Sequence, residues 1–249
     1  MVGDPCEQAL HWGLQPALQP LPWRLQDPPP WSPSSAPSAE PLLWRVDCRD
    51  PLSPAVREAL LATLTTAEQQ RCNAYRLPDD RERCLRARAG LRQLLGAWRG
   101  CSASAVVLEN GTYGKPFCPG GPQFNLSHSG DLIVLALHPR YRVGVDVEQI
   151  RSGLNWQPIA ERVLSKSQQD LLKRLPAASQ SIAFLAAWCA LEAELKAMGS
   201  GFSGLKQSKS ASSDPGQDPG LRWELKLPQG YTGVTVVLPE SMSPRAMHF

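Results

Sequence analysis

With 249 residues, 42% of them hydrophobic and 20% charged, the chain has the composition of a globular protein long enough to bury a core, as one large domain or two modest ones. Its net charge of +3 admits anionic ligands such as phosphates but falls short of the footprint of a dedicated nucleic-acid binder. No apolar run reaches the roughly 18 residues of a membrane span and the N-terminus lacks a signal-peptide pattern, so a cytoplasmic protein is expected, with neither nucleic acid nor membrane as partner.

In chain order, residues 1–40 are rich in Pro, Ser and Trp and predict an irregular arm or disordered leader, whose Trp12, Trp23 and Trp31 offer a means of docking on the domain surface. PLLWRVDCRD then reads as a short strand. SPAVREALLATL reads as a helix with Ser53 at the N-cap and Pro54 at the first helical position. TAEQQRCNAYRL continues it after a break. DDRERCLRARAGLRQLLGAW is a strong amphipathic helix with Leu85, Ala89 and Leu95 facing inward. From about 105 the period shortens: AVVLEN, FNLSHS, DLIVLALH and YRVGVDVEQI predict strands, with NGTYGKP as turn chemistry. Helices return in NWQPIAERVLS, SKSQQDLLKRL and SQSIAFLAAWCALEAELKAMG. A loop over 203–219 follows, and RWELKLPQGYTGVTVVL predicts a hairpin. The order is that of an α+β chain, and its two rounds of helices and strands suggest similar halves split near residue 150. Seven cysteines without CxxC pairs argue against zinc and disulfide frameworks and for free thiols.

Four stretches could carry chemistry. On a strand, GVDVE puts Asp146 and Glu148 on one face and Val145 and Val147 on the other, either a pair of hard oxygen ligands for Mg²⁺ or simply a wet acidic face. FNLSHS offers Ser127 and His128 at a strand end, and GKP sets Lys115 on a stiff turn. In WCALEAELKAMGSGF, Glu192 and Lys196 lie one helical turn apart, a spacing that by itself signifies a pair worth about 0.2–0.5 kcal/mol. The arginines of the long helix, Arg81, Arg83, Arg86, Arg88 and Arg92, are either phosphate forks or a solvated face.

Together and in order, GKP, FNLSHS, GVDVE and WCALEAELKAMGSGF resemble the signature of the surfactin-synthetase-type 4′-phosphopantetheinyl transferases, and the resemblance extends from about 42 to 240. It implies a pseudodimer of two similar α+β halves, here residues 41–150 and 151–249, with the active site in the cleft between them. It also implies transfer of the phosphopantetheine arm of coenzyme A to a serine of an apo carrier protein, with Mg²⁺ bound by Asp146, Glu148 and Glu192. Glu192 would be the base and Lys196 the cation on the leaving phosphate. Arg71, Arg83, Lys115, Pro116, Ser127, His128, Asp146 and Lys196 match positions that hold coenzyme A, with Arg76 the weakest addition. Carrier proteins are acidic, so Arg86 and Arg88 are expected to steer docking, and a monomer is expected because one chain supplies both cleft walls. The departure is Leu191, where the family has Lys; it keeps open a non-catalytic homologue that binds coenzyme A or a carrier protein.

Overall fold

The structure is a computed structural model that describes residues 14–30, 39–200 and 220–238. Strands β1 (Leu14–Leu18), β2 (Leu21–Pro22) and β3 (Leu42–Asp47) precede helices α1 (Pro54–Thr63), α2 (Thr66–Asn73) and α3 (Pro78–Arg99). A short ladder of β4 (Glu109–Asn110) and β5 (Pro116–Phe117) leads to β6 (Gln123–Ser129), β7 (Leu132–His138) and β8 (Arg142–Gln149). Helices α4 (Gln157–Val163), α5 (Lys166–Arg174) and α6 (Ala177–Met198) follow, and the hairpin of β9 (Leu221–Leu225) and β10 (Tyr231–Leu238) closes the described chain.

The strands form two four-stranded sheets, ordered β2-β3-β7-β6 and β1-β9-β10-β8. Strand β7 shows why they stack. All of its residues are buried; Ile133, Leu135 and Leu137 join the core under α1–α3, while Leu132, Val134 and Ala136 join Val143, Val145 and Val147 of β8 in the core between the sheets. On the far side, α6 packs Cys189, Ala190, Ala193 and Ala197 against Val234, Val236 and Leu238 of β10. The layers therefore run α1–α3, first sheet, second sheet, α6, a mixed α+β architecture consistent with a pseudodimer.

Local chemistry sets the helix ends. The Ser53 hydroxyl accepts from the Val56 N–H at 3.2 Å. Thr65 and Glu68 form a reciprocal capping box that starts α2, which accounts for the break after Thr63. Gly100 (φ 65°) and Gly199 (φ 73°) end α3 and α6 in the left-handed region that disfavours a side chain.

Several expectations are corrected. Part of the arm read as irregular is folded: β1 adds in parallel to β9, β2 adds in parallel to β3, and Trp23 and Leu25 are buried in the first core. An added strand at a sheet edge needs no amphipathic period of its own, so the Pro-rich composition concealed it. Trp12 and Trp31 lie outside the described residues. AVVLEN contributes only Glu109–Asn110 to a strand, because Ala103–Ala105 form a 3₁₀ turn first. Strand β8 bonds to β10 while β7 bonds to β3 and β6, so sheet membership changes between β7 and β8. Cys72 and Cys84 are joined in a disulfide, with Cα atoms 5.3 Å apart, because antiparallel packing of α2 and α3 meets a spacing that local CxxC rules do not test. Cys48, Cys101, Cys118 and Cys189 are free, and Cys6 lies outside the described residues.

Candidate active site

The edges of the two sheets meet without a main-chain ladder. Strand β8 pairs with β10 on one side only, leaving an outward row of polar groups that must find partners. Alternate residues of β6 supply them. The Asn125 side-chain oxygen accepts from Val145 N–H at 3.0 Å, the Ser127 hydroxyl from Val147 N–H at 3.3 Å, and the Ser129 hydroxyl from Gln149 N–H at 3.1 Å. Two ammonium groups serve the carbonyls: Lys115 Nζ donates to Val143 O at 3.1 Å and Lys196 Nζ to Val145 O at 3.4 Å. The polar residues of FNLSHS thus stitch one sheet edge to the other, a role that period-two spacing provides.

The same hydroxyls reach the acids. Asp146 Oδ1 accepts from Ser127 Oγ at 2.9 Å and from Lys196 Nζ at 2.6 Å, and Glu148 Oε2 accepts from Ser129 Oγ at 2.8 Å. Asp146 is buried, so the wet acidic face is excluded at that position, and its Oδ2 is buried without a hydrogen-bond partner. Helix α6 approaches close enough to join them because β8 has Gly144, where a Cβ would overlap the Ala193 carbonyl oxygen. The glycine of GVDVE is the signal of that close approach.

A cleft of about 350 Å³ results, lined by Ser127, His128, Asp146, Glu148, Glu192 and Lys196 among others. Burial, reinforced by the charge of Asp146, raises the Glu148 carboxyl, while Ser129 works against it. Burial also raises the Glu192 carboxyl, opposed by Lys196 and assisted by Asp146 and Glu148. His128, partly open to solvent, is lowered first by burial and then by the Arg83 charge, which favours neutral imidazole at pH 7. An adjoining cleft of about 250 Å³ shares Glu192 and Lys196 and adds Lys115, Pro116 and Asn125. Burial, then Arg142, lowers Lys115 to about 7. Among the described residues, no set of three His, Cys, Asp or Glu side chains is gathered tightly enough to hold a metal ion, so the three expected ligands share a cleft without forming a closed set.

Of the expected residues, the two clefts gather Lys115, Pro116, Ser127, His128, Asp146, Glu148, Glu192 and Lys196. Arg83 lies within the electrostatic reach of His128 and is paired with Asp80 at 3.0 Å. Arg71 and Arg76 are exposed at the end of α2 and after it, outside both linings. Leu191 is half-buried and also outside them. Arg86 and Arg92 are not available for docking: both are buried, Arg86 bonded to Glu82 and to the Asp50 carbonyl, Arg92 to Glu68 and to the Val106 carbonyl. Asn125 was not anticipated, although it continues the spacing of Ser127 and Ser129.

Two family models tile the molecule along the break between β7 and β8. A 4′-phosphopantetheinyl transferase N-terminal model matches residues 51–140, and a 4′-phosphopantetheinyl transferase superfamily model matches residues 142–232. The chain belongs to the 4′-phosphopantetheinyl transferase superfamily. The transferase HetI of a Nostoc species is similar at 32% identity over 157 residues, 61% of this chain and 66% of that protein. A putative 4′-phosphopantetheinyl transferase of a Synechocystis species is 31% identical over 147 residues, 57% of this chain and 60% of that protein. The transferase AcpT of Salmonella typhimurium is 41% identical over 91 residues, 36% of this chain and 47% of its own length. The match thus spans less than two thirds of each of these relatives. Both transferase models reach the site: α3 and β6 fall in the first, and β8, Glu192 and Lys196 in the second. Among the described residues no helix is long and apolar enough to cross a membrane.

Proposed function

We propose that this protein transfers the 4′-phosphopantetheine group of coenzyme A to a serine of an apo acyl, polyketide or peptidyl carrier protein, releasing 3′,5′-adenosine diphosphate. The observation that carries this reading is the cleft in which Asp146, Glu148, Glu192 and Lys196 meet Ser127 and His128 at the seam of the two sheets, in a chain of this family. In the reaction the serine oxygen forms a bond to the phosphorus that bears pantetheine, and the pyrophosphate P–O bond breaks with its electron pair leaving on adenosine diphosphate. Glu192 accepts the hydroxyl proton, a task suited to a carboxylate whose basicity is increased by burial. Lys196 meets the charge that grows on the departing phosphate. Arg71, Arg83, Lys115 and Pro116, with Ser127, His128, Asp146 and Lys196, bind and orient coenzyme A.

Asp146, Glu148 and Glu192 are the residues suited to Mg²⁺. The fit rests on their hard oxygen donors and on Asp146 Oδ2, which is buried with its lone pairs unused. When bound, the ion neutralises phosphoryl oxygens. We further read the protein as a cytoplasmic monomer whose halves, 41–150 and 151–249, each supply one wall of the site. The test is incubation with coenzyme A, Mg²⁺ and a panel of apo carrier proteins, followed by intact-mass measurement. A gain of one phosphopantetheine per carrier is expected; retention of coenzyme A binding with no gain on any carrier would sink the transfer reading.

A further inference from the structure

The Cys72–Cys84 bond joins α2 to α3 at a point the proposed reaction does not use. Each sulfur is the chain neighbour of an arginine assigned above to coenzyme A, Arg71 beside Cys72 and Arg83 beside Cys84. Helix α2 is held at its start by Glu68, which Arg92 binds at 2.7 Å, and just past its end by Arg81, whose Nε donates to the Tyr75 carbonyl at 2.7 Å. The disulfide lies between these ties and fixes the last turn of α2, where Arg71 sits, against the second turn of α3, where Arg83 sits. With eight residues, α2 has little intrinsic helical stability and depends on such attachments for its position.

The two sulfurs differ in access: Cys72 is 3% exposed, whereas Cys84 is half-buried. Arginines and acids both lie nearby, with Glu68 acting on Arg88 and Asp80 paired with Arg83. Arg88 follows Cys84 by one helical turn, and the Arg71 charge acts on Arg88. Positive charge stabilises a departing thiolate. Cys48, which also lies in the field of Arg83, is a poor competitor in exchange because burial pushes its thiol up to about 11.

We propose that Cys72–Cys84 is a thiol–disulfide exchange site that controls the register of Arg71 and Arg83, closed when oxidised and opened by a dithiol reductant. The reductant's thiolate attacks Cys84 Sγ, the protein S–S bond breaks, and Cys72 leaves as a thiolate that takes up a proton. The reductant's second thiol then attacks its own sulfur in the mixed disulfide and releases Cys84 as a thiolate, which is also protonated. The protein gains two electrons and two protons, and the reductant becomes a disulfide. In the open form the last turn of α2 is released, and Arg71 is no longer held against the turn of α3 that carries Arg83. The link to coenzyme A rests on the proposed function; the exchange itself does not.

The full chain is compared after oxidation and after treatment with dithiothreitol. Three readouts are taken: iodoacetamide labelling, amide hydrogen exchange over 66–77, and calorimetric titration with coenzyme A. The expected result is labelling of Cys72 and Cys84 only after reduction, faster exchange over 66–77 in the reduced form, and coenzyme A affinity lower by roughly five- to tenfold. A Cys72→Ser/Cys84→Ser variant should stay at the reduced-form values whatever the redox treatment. The proposal is overturned if both cysteines label without reductant, if hydrogen exchange is the same in both forms, or if the double variant still responds. Redox-dependent hydrogen exchange without coenzyme A binding in either form would leave the exchange site standing and remove the functional reading of the arginines. The comparison of the two wild-type forms decides the matter even if the variant folds poorly.

Discussion

Helices α3 and α6 are both 22 residues long, each covers one sheet, and each ends on a left-handed glycine, yet they use charge in opposite ways. The arginines of α3 that are most buried, Arg86 and Arg92, find acids and carbonyls within the first half and are consumed in holding the loop before α1, α2 and the loop before β4. The charged pair of α6 sits at the seam: Lys196 bonds to Asp146 of β8 in the second sheet and reaches across to Ser127 of β6 in the first, with Glu192 beside it in the cleft. The number of charges on a helix therefore says little about its role. The location of their partners says more, because a charge matched inside one packing unit stabilises it, while a charge shared across a seam remains available to a ligand.

The sharpest way to test this contrast is one substitution on each helix. Glu192→Gln should lower the transfer rate by about 10²–10⁴-fold, the range for loss of a general base, with an unchanged thermal unfolding curve; near-wild-type transfer would refute its role as base. Arg92→Met should do the reverse, leaving Glu68 without its buried partner at a cost of about 3–5 kcal/mol in urea unfolding, while residual folded protein keeps its turnover. Gly144→Ala tests the contact that brings α6 to β8: overpacking should cost about 1–3 kcal/mol and reduce transfer as well, because Glu192 and Lys196 move with the helix.

A further effect concerns pH. Lys115 titrates near 7 in the folded protein and near its ordinary 10.5 when unfolded. Between those values the unfolded chain binds the extra proton, so this residue makes stability rise with pH across the window from about 7 to 10.5. Urea midpoints at pH 7 and pH 9 should show that rise, and Lys115→Met should flatten it. An equal slope in the variant would mean that the two carbonyls bonded by Lys115 keep it protonated in the fold.

Much of this arrangement was legible in the sequence, for reasons that can be traced residue by residue. The continuous apolar run of DLIVLALH, the period of two in GVDVE, and the inward positions Leu85, Ala89 and Leu95 gave strands and a helix that the structure contains, because each has apolar side chains to bury. The pairing of Glu192 and Lys196 with the acids of β8 was legible only through four motifs in order, since no local spacing encodes contact between α6 and β8. Other features had no local signature. The partners of Arg86 and Arg92 come from distant segments, β1 draws its regularity from β9, and the Cys72–Cys84 bond depends on how α2 lies on α3. The three polar side chains of β6 were visible as a motif, but their service to the backbone of β8 required the second sheet to be in place.

That service has a consequence beyond the site. An unsatisfied strand edge is a template on which another chain can add, and β8 would present one if Asn125, Ser127 and Ser129 did not occupy its N–H groups. The seam that brings acids and hydroxyls together is thus also a guard on solubility, and damage to it would surface as clumping in the test tube before any assay of chemistry could be read.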